Sequence, residues 1–174
     1  MYQLSSVFFI FIFQDKFYDV SFDTGDKSVQ CGRKVDAFKL WFMLKARGED
    51  YMEEMVDNTF SMADYLTELV KSRPGFRLVP EYETRQCTNV GFWYIPPRLQ
   101  GRQEDEAWWE EMEKIAPRIK EQMIMDGSLM IGYQPLPYKN LKNFFRMVIH
   151  GVPRPTKEQM EFVLNEIERI GKDL

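Results

Sequence analysis

The sequence predicts a two-layer α+β domain with a mainly antiparallel sheet, and three observations carry that expectation. About four short strand-like runs are interleaved with three or four longer stretches of helical periodicity. Gly48, Arg73-Pro74-Gly75 and Pro96-Pro97 close three of these runs, with residues that interrupt regular backbone. The 174 residues suffice for one domain with a substantial core, but not comfortably for two.

Taken in order, Met1 to Ser28 reads as extended or loop structure, with Asp23-Thr24-Gly25-Asp26 as a turn. Val7 to Phe13 (VFFIFIF) is an apolar leader far shorter than the roughly 20 residues of a membrane span. It also lacks the basic leader and small-residue cleavage site of a signal peptide. Asp36 to Arg47 carries Phe38, Leu40, Trp41, Phe42 and Leu44 on most faces and is closed by Gly48, the pattern of a helix buried between layers. A second helix is expected from about Asp50 to Ser72, with Met52, Met55, Val56, Ala63, Leu66 and Val70 on one face and Arg73-Pro74-Gly75 as its stop.

Phe76 to Val79 reads as a short strand and Asn89 to Ile95 as a stronger one, ended by Pro96-Pro97. Glu106 to Asp126 has a helical stripe of Trp109, Met112, Ile115, Ile119 and Met123; Pro117 should kink or restart it, since it lacks an amide proton. Ser128 to Tyr133 and Phe144 to Ile149 are two further expected strands, joined by a loop holding Pro135 and Pro137. The last helix begins at Thr156, which forms a capping-box pattern with Gln159 ahead of Met160, Val163, Leu164, Ile167 and Ile170.

Composition narrows the function classes. Hydrophobic residues make up 44% and aromatic ones 15%, so some apolar surface is available for another domain or subunit. A net charge of −4 with no basic stripe argues against nucleic acid. Two cysteines without ligand spacing and a single histidine argue against a metal site. Lone cysteines also suit a reducing, cytoplasmic setting.

The most informative residue is Arg146, in the apolar run Asn143 to Ile149. A guanidinium there is costly unless paired. Its planar fork suits a carboxylate held by two parallel hydrogen bonds. The alternative is an ion pair with one of the protein's own acids. A guanidinium turned to bulk water, or tied up by such an acid, counts against the ligand role. Gly32, in Gln30-Cys31-Gly32-Arg33, gives the backbone room to approach a phosphate, or is simply a loop glycine before a helix. Cys31 has only His150 as a potential histidine partner, and Asp23, Asp26 and Lys27 suit a solvated turn. Trp108-Trp109 and the methionine-rich faces read as packing.

Several blocks carry a resemblance that no single motif would. From Phe17-Tyr18-Asp19-Val20 through Gln30-Cys31-Gly32-Arg33 and Asp36-Ala37-Phe38-Lys39-Leu40-Trp41, the sequence resembles the pyridoxal-phosphate decarboxylases of glutamate, cysteine sulfinate and acidic (aspartate) amino acids. The likeness continues through Asn89 to Pro96, Ala116 to Lys120, Gly127 to Pro135, Asn143 to Val148 and Glu166 to Leu174, covering nearly everything after Gln14.

The resemblance implies the aspartate-aminotransferase type fold, divided into an atypical leader (1–13), the end of the large domain with a linking helix (14–48) and the small C-terminal α+β domain (49–174). It implies pyridoxal 5′-phosphate as cofactor, an acidic amino acid as substrate and a homodimer. It gives Arg146 the grip on the distal acidic group and places Gly32 near the cofactor phosphate of the partner subunit. No Asn-Pro-His-Lys cofactor motif occurs here, and His150 is followed by Gly151. The expected state is therefore a C-terminal portion, inactive alone, with no catalytic residue of its own. The rival expectation is a non-catalytic module that binds full-length subunits. A weaker one makes the leader a membrane-contacting tail.

Overall fold

The computed structural model describes residues 35–83 and 87–174. The chain divides into two units between Asp50 and Tyr51. Both contribute to one helical run, α1 (Asp36–Ser72), which is interrupted at Gly48, where φ is 80° and ψ 172°. That positive φ is one that glycine adopts without the penalty a side chain brings. The stop expected at Gly48 is present.

In the first unit, Phe38 stacks on Trp41 and Phe42 with ring centroids 5.9 and 6.1 Å apart. This segment corrects one expectation. Phe38, Leu40, Trp41 and Phe42 are 53–60% exposed rather than buried between layers. An all-round apolar helix needs cover on several sides, and the described residues supply little beyond the rings themselves.

The second unit contains the sheet: β1 (Phe76–Leu78), β2 (Asn89–Tyr94), β3 (Gly132–Leu136) and β4 (Leu141–Val148), in spatial order β1-β2-β4-β3 with all neighbours antiparallel. With α2 (Glu106–Asp126) and α3 (Lys157–Gly171) this is the expected α+β architecture. Phe92, Phe145, Ile119, Met123, Leu164 and Ile167 are at most 1% exposed and mark the core between sheet and helices. Tyr94 of β2 meets α2 and α3 closely enough that a Cβ on Gly171 would strike both its ring and Ile119. The C-terminal part of α1 buries Met62, Ala63, Leu66 and Val70 and is tied to α3 through Tyr65–Glu161, and Arg73, just past its end, pairs with Glu168.

Helix ends follow local chemistry. Asp105 caps α2 by accepting from the Trp108 amide, and Gly127 closes it at φ 65°. Thr156 and Gln159 complete the predicted capping box. Of the kink or restart expected at Pro117, the restart does not occur: α2 runs on through it. Proline removes the amide that would have served the Glu113 carbonyl, and the Asn143 side-chain amide of β4 donates to that carbonyl instead, at 2.9 Å. A missing helical hydrogen bond thus becomes a helix-to-sheet hydrogen bond.

The third strand also differs. Ser128 to Ile131 lies outside it, and β3 starts at Gly132 and includes Pro135, which the sequence placed in a loop. Edge strands tolerate a proline, because one row of their amides has no partner to lose; β3 is an edge, and its pairing with β4 shifts register between Gln134 and Leu136. Pro137 opens a short 3-10 turn.

One ionic cluster joins α2 to α3. Arg169 donates to both oxygens of Glu166 at 2.8 Å and to Asp126 at 2.9 Å. The Arg169 guanidinium lowers the Glu166 carboxyl from its usual range to about 2. A depressed carboxylate pKa favours the folded state above the unfolded value and loses that contribution as pH falls through the folded one. Glu166 therefore stabilises the fold fully above about pH 4.5 and progressively less down to about 2. Denaturant titrations of the parent and Glu166→Gln between pH 6 and 2.5 should show a parent advantage that shrinks with acid; a gap independent of pH rules the linkage out.

Candidate functional site

Alternation along β4 puts Phe145 and Met147 on one side of the sheet and Phe144, Arg146 and Val148 on the other. The Phe145 side faces the helices, with Phe92 beside it at a ring separation of 5.8 Å. The opposite side is covered only in part. Trp93 packs edge-on against Trp109 at 5.4 Å and against Phe144 at 6.2 Å, and Phe144 meets Tyr82 at 5.9 Å. Phe144 is fully buried by this cover, whereas Arg146, two residues further on, is exposed.

This placement corrects the premise that Arg146 is buried in an apolar strand. Within the described residues it does not suffer the cost of an enclosed charge. The ion-pair alternative is not realised either: 11 salt bridges join other described residues, and none includes Arg146. Arg146 lines an open depression of about 250 Å³ with Leu129, Met130, Ile131, Gly132, Met147 and Val148. The result is an exposed cation with no described acid in salt-bridge contact, set beside a mostly apolar rim: its exposure counts against the ligand role, and the lack of a described acid partner and the adjoining depression count for it.

Register explains the room around it. Arg146 pairs with Gly91 of β2 on one flank and with Gly132 of β3 on the other. Neither cross-strand neighbour has a side chain to stand beside the guanidinium. The two flanks then diverge. A Cβ at Gly91 would lie 2.5 Å from the Tyr82 ring, so that space is taken; at Gly132 the nearest heavy atom is a backbone oxygen 3.6 Å away. Burial raises the Tyr82 hydroxyl pKa, with the Arg146 charge pulling the other way, so this phenol stays protonated at neutral pH.

Sequence reasoning found Arg146 but missed Gly91, Gly132 and Tyr82. The available signal was Gly91 itself. Glycine inside the apolar run Asn89-Val90-Gly91-Phe92-Trp93 marks a place where another group approaches closely. Gly32, Cys31 and the Asp23, Asp26 and Lys27 cluster lie outside the described residues. His150 is exposed, and Cys87 is an exposed free thiol. Trp108 is core as expected, its indole N–H donating to the Leu99 carbonyl at 2.9 Å. Among the described residues no cluster of His, Cys, Asp or Glu is arranged to hold a metal, and no helix is long and apolar enough to cross a membrane. No described lysine is buried, the setting in which a lysine amine is readily tuned for covalent chemistry.

Comparison with known proteins gives this geometry a context. The model of the pyridoxal-dependent decarboxylase conserved domain matches residues 1–95. Human cysteine sulfinic acid decarboxylase is 51% identical over 161 residues, which is 92% of this chain and 31% of that protein. Mouse acidic amino acid decarboxylase GADL1 is 48% identical over 163 residues, 92% of this chain and 28% of that one. The crystal structure of mouse CSAD in apo form superposes with a TM-score of 0.76 at 45% identity, covering 92% of this chain and 33% of that structure. The chain thus spans about a third of the length of these relatives.

An exposed arginine outside every described salt bridge contributes little to folding, since surface substitutions usually stay within about ±0.5 kcal/mol. Arg146→Met should therefore leave the denaturation midpoint of the chain nearly unchanged. A loss of 2 kcal/mol or more, on the scale of a broken buried ion pair, would show that the residue is structural after all.

Proposed function

The chain belongs to the pyridoxal-dependent decarboxylase family, and from that premise we propose that it forms part of a carboxy-lyase acting on an acidic amino acid. The reaction removes the α-carboxylate, with pyridoxal 5′-phosphate as cofactor. The sequence Gly127-Ser128-Leu129-Met130 leans towards cysteine sulfinate and aspartate, and one relative's name carries cysteine sulfinic acid. The single observation that carries this reading is Arg146: a cation outside every described salt bridge, with a glycine on each flank, lining an open depression.

When bound, the cofactor draws off the electron pair left behind as carbon dioxide departs. The described residues do not fit its covalent attachment. No lysine among them is buried, and the sequence holds no Asn-Pro-His-Lys. Gly32, proposed to approach the cofactor phosphate of a partner subunit, is outside the described residues. What they do fit is the anionic end of the substrate. The guanidinium fork holds a side-chain carboxylate or sulfinate through two parallel hydrogen bonds, which fixes the far end of the substrate. Alone, this span is inactive in our reading. The exposed Phe38, Trp41 and Phe42 support a docking role for the helix that carries them, toward the rest of the enzyme or a second subunit of a homodimer. The unpaired Cys87 suits a reducing cytoplasm.

A second reading uses those same exposed aromatics: a non-catalytic module that binds intact subunits. Adding the chain to active full-length decarboxylase separates the two. Mixed dimers with reduced activity support the module; unchanged size and activity exclude it.

The enzyme reading is tested by Arg146→Lys in a chain that also carries the cofactor lysine. A point charge cannot reproduce the bidentate fork, and hydrogen bonds to charged groups contribute about 1.5–3 kcal/mol. KM for the acidic substrate should rise by roughly tenfold to a hundredfold. An unchanged KM would remove Arg146 from substrate binding.

A further inference from the structure

We propose that Tyr82 is a positioning residue for Arg146: by filling the space that Gly91 leaves open, its ring walls off one flank of the guanidinium and turns it toward the Gly132 side. The proposal rests on the assignment of Arg146 to substrate binding.

The geometry is asymmetric in a way that a merely structural tyrosine does not explain. Arg146 has glycine on both flanks, so the strand register alone leaves the side chain free to lean either way. On the Gly91 side the Tyr82 ring lies so close that a methyl group could not be added, with two ring carbons 2.5 Å from its position. The ring is itself held from behind by Phe144, the residue preceding Arg146 on the same face, at 5.9 Å. On the Gly132 side an added Cβ would meet nothing closer than the Arg146 carbonyl oxygen, at an ordinary 3.6 Å, and there the depression lined by Arg146, Met130, Ile131 and Gly132 is found.

Tyr82 reaches this position because it closes the 3-10 turn Pro80–Tyr82, where its amide bonds to the Val79 carbonyl at 2.8 Å. Glu81 in the same turn pairs with Lys139 of the turn between β3 and β4, at 3.3 Å, which ties this cover to the neighbouring hairpin. An arginine with four rotatable side-chain bonds loses substantial entropy when a ligand fixes it. A wall that restricts its conformations before the ligand arrives lowers that loss and should appear in KM rather than in kcat.

Two measurements test this. In the 174-residue chain, 15N relaxation of the Arg146 Nε–H should report restricted motion in the parent and in Tyr82→Phe. The order parameter should drop to about 0.6 or below, the range of flexible groups, in Tyr82→Leu, which keeps apolar packing but not the flat ring. In the cofactor-loaded enzyme, Tyr82→Leu should raise KM about fivefold to tenfold with kcat within about twofold, Tyr82→Phe should match the parent, and the effect should vanish in an Arg146→Lys background. Equal order parameters in Tyr82→Leu and parent would overturn the proposal, as would equal KM values or additivity with Arg146→Lys. A KM rise in Tyr82→Phe equal to that in Tyr82→Leu would overturn it too, by making the hydroxyl a direct ligand. If Arg146→Lys alone leaves KM unchanged, the substrate-binding assignment falls and takes this with it. A failure confined to the Tyr82 variants leaves that assignment standing.

Discussion

A positive charge held on a partly covered sheet face is the constraint around which the rest of the domain makes sense. Placing a guanidinium beside two glycines forgoes the cross-strand side-chain contacts that normally stabilise a sheet. β4 is a central strand, paired on both sides, so its backbone is held rigidly while its Arg146 side chain has room. The other face of the sheet carries the load. Phe92, Phe145 and Tyr94 pack against α2 and α3, and the proline gap in α2 is filled by Asn143 of the same strand that bears Arg146. Rigid support on one face and an open cation on the other is an arrangement suited to recognising an anion rather than to maximising stability.

Much of the architecture was legible because it is written in local chemistry. The start of α3 follows from Thr156 and Gln159, whose side chains satisfy helix-end groups without help from elsewhere, whereas the Asp105 and Gly127 caps of α2 emerged only in the structure. What was misread depends on partners distant in sequence. Ser128 to Ile131 has strand-like composition, but pairing with β4 begins only at Gly132. Pro135 looks like a loop residue until β3 proves to be an edge. The apolar helix from Asp36 was expected inside because periodicity records hydrophobicity and not what supplies the cover.

The site divides along the same line. Arg146 stands out in its apolar run, so it could be singled out from sequence; its exposure could not, because strand composition does not say where cover ends. Gly91 and Gly132 become its neighbours only through sheet register, and Tyr82 only through the turn that precedes β2. Family resemblance gave the chemistry a class and Arg146 a role. Gly32, the other residue it singled out, is outside the described part of the chain and gains no support from the geometry.

The central claim is that Arg146 makes the enzyme prefer an acidic side chain. The most direct measurement is the ratio of kcat/KM for cysteine sulfinate to that for an uncharged amino acid of similar size, in the complete enzyme and in its Arg146→Met variant. The account predicts that this ratio falls by about tenfold to a hundredfold, the range of one charge-assisted contact, with kcat/KM for the uncharged compound little changed. A ratio that survives the substitution would contradict it.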